Sequence, residues 1–283
     1  MNAISPQPEK WRETADPFAL PLKKFRVREV LGYPHAGNDV FYAAGTYLDR
    51  PCSAFVKMER QAGADLENEA AALEALPYPY KPRLLEYVPG PPACLVTEAC
   101  GGERLSAIAE RRGPGGVLAY MEPYGAALAA LHGLDLPWAE VKHRRFLDLP
   151  PEDYLKKYAL TGYADFLSGH PPVGEGRCLI HGDFHYANIL WRDGGISAVL
   201  DYELCGRGIR EFDLAWAVVL RPGQRFLKTP EELAGFLGGY GGRQAFSPPA
   251  FRYYYMLAAL WFWSMGDEAY RRDLGRLLDR LGQ

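Results

Sequence analysis

Along the chain, short stretches with apolar residues at every second position give way to stretches with apolar residues at every third or fourth. From Phe25 to Leu31, FRVREVL alternates apolar and polar positions and predicts a strand, which the turn-rich GYPHAGND ends. VFYAAGTYL and CSAFVKM predict two more strands, and short turns between them point to an antiparallel sheet. ADLENEAAALEAL places Leu66, Ala70, Leu73 and Leu76 near helical spacing, with Asp65 as its cap. RLLEYV and ACLVTEA return to strand patterning before the pair Gly101-Gly102. The first hundred residues thus read as five strands and one helix.

Beyond Gly102 the period is mostly helical. ERLSAIAERR and VLAYMEPYGAALAALHGL predict helices, with Pro123 implying a kink or restart in the second. Further helices are predicted at DYLKKYALTGYADFLS, REFDLAWAVVL, PEELAGFLGGY and from Phe251 to Leu281. Three short strands, CLIH, NILW and ISAVLD, lie among them, and the Asp-Gly-Gly of RDGG predicts a hairpin joining the last two. The fold class is α+β: a sheet-rich lobe over residues 1–100, a larger helical lobe over 101–283, and a hinge near 99–103.

Composition excludes several function classes. The chain has 283 residues, 48% hydrophobic, with 32 basic and 35 acidic side chains and a net charge of -3. No strong field favours nucleic acid or an anionic membrane, so a small molecule or another protein is the expected partner. The opening MNAISPQPEKWRETADP does not read as a secretory signal, and the longest apolar-aromatic run, Tyr253 to Met265, is too short to span a bilayer. Five scattered cysteines without a CxxC pair fit a reducing cytoplasm.

Candidate chemistry concentrates in LIHGDFHYANILW. Two apolar runs read as buried strands, and the polar residues between them as a rigid loop. Asp183 follows Gly182, where backbone can approach a ligand closely, and Asn188 closes the loop. An aspartate can take a proton from a substrate hydroxyl, and an asparagine carbonyl is a hard oxygen suited to Mg²⁺. Both residues are also ordinary in turns. Asp201 leaves the buried strand before Glu203, where the hairpin brings it toward Asn188; it can pair with Asn188 on a metal or simply end the strand. Lys57, inside the apolar run AFVKM, needs a partner, with Glu69 the candidate, Glu67 its rival, and a solvated edge lysine the alternative. A Lys-Glu pair in a cleft can hold nucleotide phosphates. Gly37 and Asn38 either cover a phosphate or form a plain hairpin turn, since the GxGxxG spacing is missing.

A strand lysine, a helix glutamate, an aspartate-asparagine loop and an aspartate closing the next hairpin follow the order of the protein-kinase signature. HGDFHYAN resembles the HGDxxxxN catalytic loop of the aminoglycoside phosphotransferase and choline kinase superfamily, small-molecule kinases of protein-kinase-like fold. LDYELCGRGIREFDLAWAV is similar to the family's metal segment and the Asp-Leu-Ala that begins the next helix. The resemblance runs from about Val27 to Trp216 and implies ATP as donor, Asp183 as catalytic base, and Asn188 and Asp201 as Mg²⁺ ligands. It further implies that Lys57 with Glu69 orders the ATP phosphates, that Asp213 and His181 hold the catalytic loop, and that Leu131-His132 is architectural. DYE in place of DFG argues against a protein substrate.

The acceptor hydroxyl is less defined. An aminoglycoside-like or amino-alcohol acceptor is implied by the resemblance, with choline, ethanolamine, homoserine and sugar amines as alternatives. Trp216, Tyr253, Tyr254, Tyr255, Trp261, Phe262 and Trp263 could cage a quaternary ammonium or pack as core, and Asp267-Glu268 could line an acidic groove or cap a helix. Two other classes compete: a non-catalytic binding protein of the same fold, and a zinc hydrolase built on His181, His185 and Asp183. Gly182 and the flanking strands speak against the second.

Overall fold

The computed structural model describes residues 15–34, 37–60, 63–113 and 115–282. The chain divides into two compact units, the first taking in the chain to Glu103 with Leu190–Asp193 and Ser197–Cys205, the second the remainder. The hairpin carrying Asp201 thus groups mainly with the first unit, although chain order sets it inside the second.

The first unit is built on strands β1 (Phe25–Gly32), β2 (Asp39–Tyr47), β3 (Arg50–Met58), β4 (Leu84–Val88) and β5 (Cys94–Glu98), ordered β1-β2-β3-β5-β4 and antiparallel throughout. Between β2 and β3 the two-residue turn Leu48-Asp49 has positive φ at both positions, as a tight right-twisting hairpin requires. Alternation along β3 buries Ala54 and Val56 with Phe25, Phe41, Leu85 and Val96 in one apolar core, leaving Lys57 on the other face. Helix α1 (Leu66–Ala75) begins at Asp65, whose side chain accepts from the Asn68 N–H at 3.0 Å. The five strands and one helix read from the first hundred residues are all present.

The second unit carries α2 (Leu105–Arg112), α3 (Leu118–His132), α4 (Glu152–Lys157), α5 (Thr161–Gly169), α6 (Arg210–Val218), α7 (Pro230–Gly241), α8 (Pro248–Phe262) and α9 (Glu268–Gly282). A two-residue strand β6 (Glu103–Arg104) precedes α2, where the pattern predicts helix from Glu103. Helix α3 continues through Pro123 without the restart that was the other expectation beside a kink; the missing N–H costs one internal bond. It packs backbone to backbone on α7: a Cβ at Gly125 would collide with the Phe236 carbonyl, and one at Gly239 with that of Glu122. The stretch from Asp153 to Ser168 is two helices, broken where Ala159 turns left-handed at φ 56°.

Strands β7 (Arg177–Ile180), β8 (Ile189–Arg192), β9 (Gly195–Val199) and β10 (Gly206–Ile209) frame the two polar segments. β8 and β9 are neighbours joined through Asp193 and Gly194, both at positive φ, which is the hairpin expected from RDGG. β10 pairs with β7. Among the described residues no helix is long and apolar enough to cross a membrane.

Candidate active site

In the first unit, Lys57 crosses from β3 to three carboxylates. Its Nζ stands 2.8 Å from Glu69 on α1, 2.9 Å from Asp201 and 2.6 Å from Glu203. Glu69 is therefore its helix partner, and the rival Glu67 points to solvent. Burial works against the charge on Lys57, but Glu69, Asp201 and Glu203 outweigh it and hold the ammonium well above its usual range. Burial pushes the Glu69 carboxyl up, more than the neighbouring ammonium pulls it down.

The segment after β9 is fastened to α1. Asn68 donates its side-chain amide to the carbonyls of Glu203 at 3.0 Å and Cys205 at 2.8 Å. Asp201 sits left-handed at φ 70°, a conformation aspartate tolerates better than most residues. Asn38 is spoken for: its amide donates to Glu203 at 2.6 Å and its carbonyl accepts from the Arg60 N–H at 3.1 Å. Gly37 has φ 99°, as a tight turn allows, while the rest of GYPHAGND lies partly on residues 35 and 36, outside the described ones.

Glu69, Asp201 and Glu203 each offer an oxygen within 4.8 Å of the others, a donor set suited to a hard divalent cation such as Mg²⁺. This cluster, among the described residues, includes neither His181 nor His185, so the zinc reading loses its ligands. Lys57→Met should cost about 3 kcal/mol at neutral pH, because the buried Glu69 carboxylate loses its counter-ion. Urea unfolding at pH 7 and pH 4 checks this. The loss should shrink at the lower pH, where the Glu69 carboxyl, pushed up by burial, is protonated and no longer needs the ammonium.

In the second unit, Asp183 stands on the loop after β7, its side chain 26% exposed and thus reachable. Gly182 before it is left-handed at φ 81°. Its carboxylate accepts from Trp216 Nε1 at 2.7 Å on Oδ1 and from Asn188 Nδ2 at 3.1 Å on Oδ2, with His185 Nε2 3.6 Å from Oδ2. Burial pushes this carboxyl up, but His185, the Trp216 hydrogen bond and Arg221 outweigh it and hold it well below the usual carboxylate range. Asp183 is therefore ionised and able to accept a proton. Asn188 also donates to the Asp183 carbonyl at 3.0 Å, which leaves its own carbonyl oxygen directed elsewhere.

The loop is braced from α6. Asp213, fully buried, accepts from the N–H groups of His181 at 2.9 Å and Gly182 at 3.1 Å. Its Oδ2 also meets His132 Nε2 at 3.1 Å, and His132 Nδ1 meets the Tyr240 hydroxyl at 2.8 Å. Burial opposes a charge on His132, and contacts with Cys178 and Asp213 more than offset it, raising its pKa to about 9. An unfolded histidine releases its proton near pH 6.5, so this pairing stabilises fully below that pH and is lost as pH rises through about 9. Chemical unfolding between pH 6.5 and 9 should show stability falling by about 3 kcal/mol, a slope that His132→Gln should flatten.

Trp216 was readable as an aromatic on α6, but its bond to Asp183 was not. The available signal is a buried indole three residues after Asp213 on the same helix, which needs an acceptor. Arg144 and Arg221 carried no signal at all. Arg144 donates to the Gly182 carbonyl, and Arg221 to the carbonyls of Val219 at 3.2 Å and Trp216 at 3.0 Å. Tyr254, Tyr255 and Phe262 of α8 are buried, and Asp267 caps α9 by accepting from the Tyr270 N–H at 2.9 Å.

The phosphotransferase enzyme family matches residues 55–254. The chain belongs to that family. It is a small-molecule kinase, α+β with a protein-kinase-like fold. An amicoumacin kinase in complex with AMP-PNP, Ca²⁺ and Ami is 14% identical, covered over 99% of this chain and 94% of its own, with TM-score 0.57. An aminoglycoside-3'-phosphotransferase of type VIII is 23% identical over 86% and 95%, TM-score 0.52. An ethanolamine kinase of Plasmodium vivax is 12% identical over 97% and 85%, TM-score 0.54. At these identities the likeness is one of fold. No curated protein sequence matches the chain.

Proposed function

We propose that this phosphotransferase moves the γ-phosphoryl group of ATP to a hydroxyl of a small molecule, in the cytoplasm, where its five free thiols stay reduced. The single observation that carries the reading is the Asp183 carboxylate held by Trp216 and Asn188 on a loop braced by Asp213. A carboxylate so fixed can orient an acceptor hydroxyl and take its proton as the oxygen attacks phosphorus. Lys57, set by Glu69, has the charge and position on its sheet to hold nucleotide phosphates, and the turn at Gly37 and Asn38 is proposed to cover them. Asn188 and Asp201 are the residues assigned to Mg²⁺; both offer oxygens, and the acidic neighbours of Asp201 fit a divalent cation. Bound Mg²⁺ supplies charge neutralisation on the phosphate oxygens.

Support for ATP as donor comes from the family and from the fold relative that holds AMP-PNP. The test is a thermal-shift titration with ATP in the presence and absence of Mg²⁺. A ligand that prefers the folded state raises its melting temperature, so metal-dependent stabilisation is expected. No stabilisation, together with no heat of binding, would sink the reading and favour a different ligand for the same fold.

A further inference from the structure

Around the Asp183 carboxylate the side chains carry an unexpected charge. Three arginines lie on the aromatic cluster that would otherwise cage a cation. The Arg144 guanidinium is 4.5 Å from the Trp216 ring centre, 5.5 Å from Phe146 and 5.6 Å from Phe212. Arg145 lies 5.0 Å from Phe146 and 5.3 Å from Trp261, and Arg221 lies 5.3 Å from Trp216 and 5.2 Å from Phe262. The rings themselves are one contiguous patch, with Phe146 and Trp216 centred 4.9 Å apart and Trp216 and Phe262 5.4 Å apart. Each of these five faces already carries a guanidinium.

The nearby acids do not cancel this charge. Asp213 is committed to His132 and two backbone N–H groups, and Asp148 pairs with His143 at 2.7 Å while its carbonyl receives the Trp261 indole. Asp267, the acid suggested for a cationic groove, is a helix cap. That leaves Asp183 itself facing two arginines, one of them, Arg221, only 9% exposed and bonded to carbonyls alone among the described residues. Arg144 is different. It is half-buried, it spends one N–H on the Gly182 carbonyl beside the base, and the planar fork that remains suits a carboxylate or phosphate.

We infer that the acceptor is a small hydroxylated anion, its carboxylate or phosphate held by Arg144 while its hydroxyl lies at Asp183. This rests on the phosphotransferase reading above and narrows its acceptor. A quaternary ammonium or a polycationic aminoglycoside would have to settle against like charge on rings that are already occupied, whereas an anion finds the charge in place.

The experiment is a thermal-shift comparison on the full chain saturated with ADP and Mg²⁺, which blocks turnover. D-glycerate, L-malate and glycerol 3-phosphate form one panel; choline, ethanolamine and kanamycin the other. At least one anion should raise the melting temperature at millimolar concentration, and the cations should not. A carboxylate that responds without glycerol 3-phosphate, or the reverse, names which anionic group is bound. Arg144→Gln should weaken that anion at least tenfold and leave the ADP response unchanged, while Arg272→Gln, an exposed charge on α9, should change neither. Stabilisation by the cations alone, or by neither panel, overturns the inference, as does an Arg144→Gln protein that keeps the anion response. The wild-type comparison decides even if the variant does not fold. A protein that ignores ADP with Mg²⁺ marks the failure of the phosphotransferase reading instead.

Discussion

Asp183→Asn should lower kcat by about a thousandfold, within the range a positioned general base contributes. The substitution is nearly isosteric, so its effect is chemical. The carboxylate now accepts from two directions, Trp216 Nε1 at 2.7 Å and Asn188 Nδ2 at 3.1 Å, with His185 Nε2 3.6 Å away. An amide can turn its oxygen to Trp216 only by presenting an NH₂ to the Asn188 amide, so one donor faces another. The variant therefore loses both the proton acceptor and part of the hold on its position. Asp183→Ala, without the donor clash, should lose as much turnover, and KM for ATP should stay within about twofold because the phosphate contacts assigned to Lys57 are untouched. Steady-state kinetics with an acceptor found by the panel above measures both constants. Unchanged kcat in the alanine variant would remove Asp183 from the role of base.

The second large effect is on folding. Asp213→Ala should destabilise the protein by about 5 kcal/mol, since it strands three groups at once in a fully dry place. The N–H groups of His181 and Gly182 lose their acceptor, and His132 loses its counter-charge while keeping Tyr240. Asp213→Asn keeps an oxygen for the loop but turns an NH₂ toward one of its donors, and should cost about half as much. Chemical unfolding gives the free energies. Amide hydrogen exchange at His181 and Gly182 reads the same bonds directly and should accelerate in the alanine variant. Protection that stays at the wild-type level would mean the loop holds its shape without α6.

What the sequence could tell depended on how local the cause was. Strands β1 to β5 follow from alternation, and the RDGG hairpin from two residues that accept positive φ. Lys57 announced itself because an ammonium in an apolar strand needs partners, and Glu69 is found at the other end of that need. Strand β10 was missed because GRGI has two glycines, which weaken a strand on their own. The glycines are there for room: a Cβ at Gly208 would strike the Ile180 side chain and one at Gly206 the Val141 side chain. The break at Ala159 and the left-handed Asp201 are conformations that composition does not encode. The bond from Trp216 to Asp183 and the stacking of Arg144 on Trp216 join residues far apart in the chain, and nothing in the local pattern at either end marks them.

Lys57 has three N–H bonds to give and three carboxylates that receive them. Its valence is full. A phosphate oxygen can reach that ammonium only by evicting a carboxylate, and the evicted charge then needs a cation of its own. Nucleotide entry at this residue is consequently an exchange reaction, anion for anion at the lysine and cation for cation at the acids. Affinity for the nucleotide and for the divalent ion should therefore rise and fall together, each poor alone.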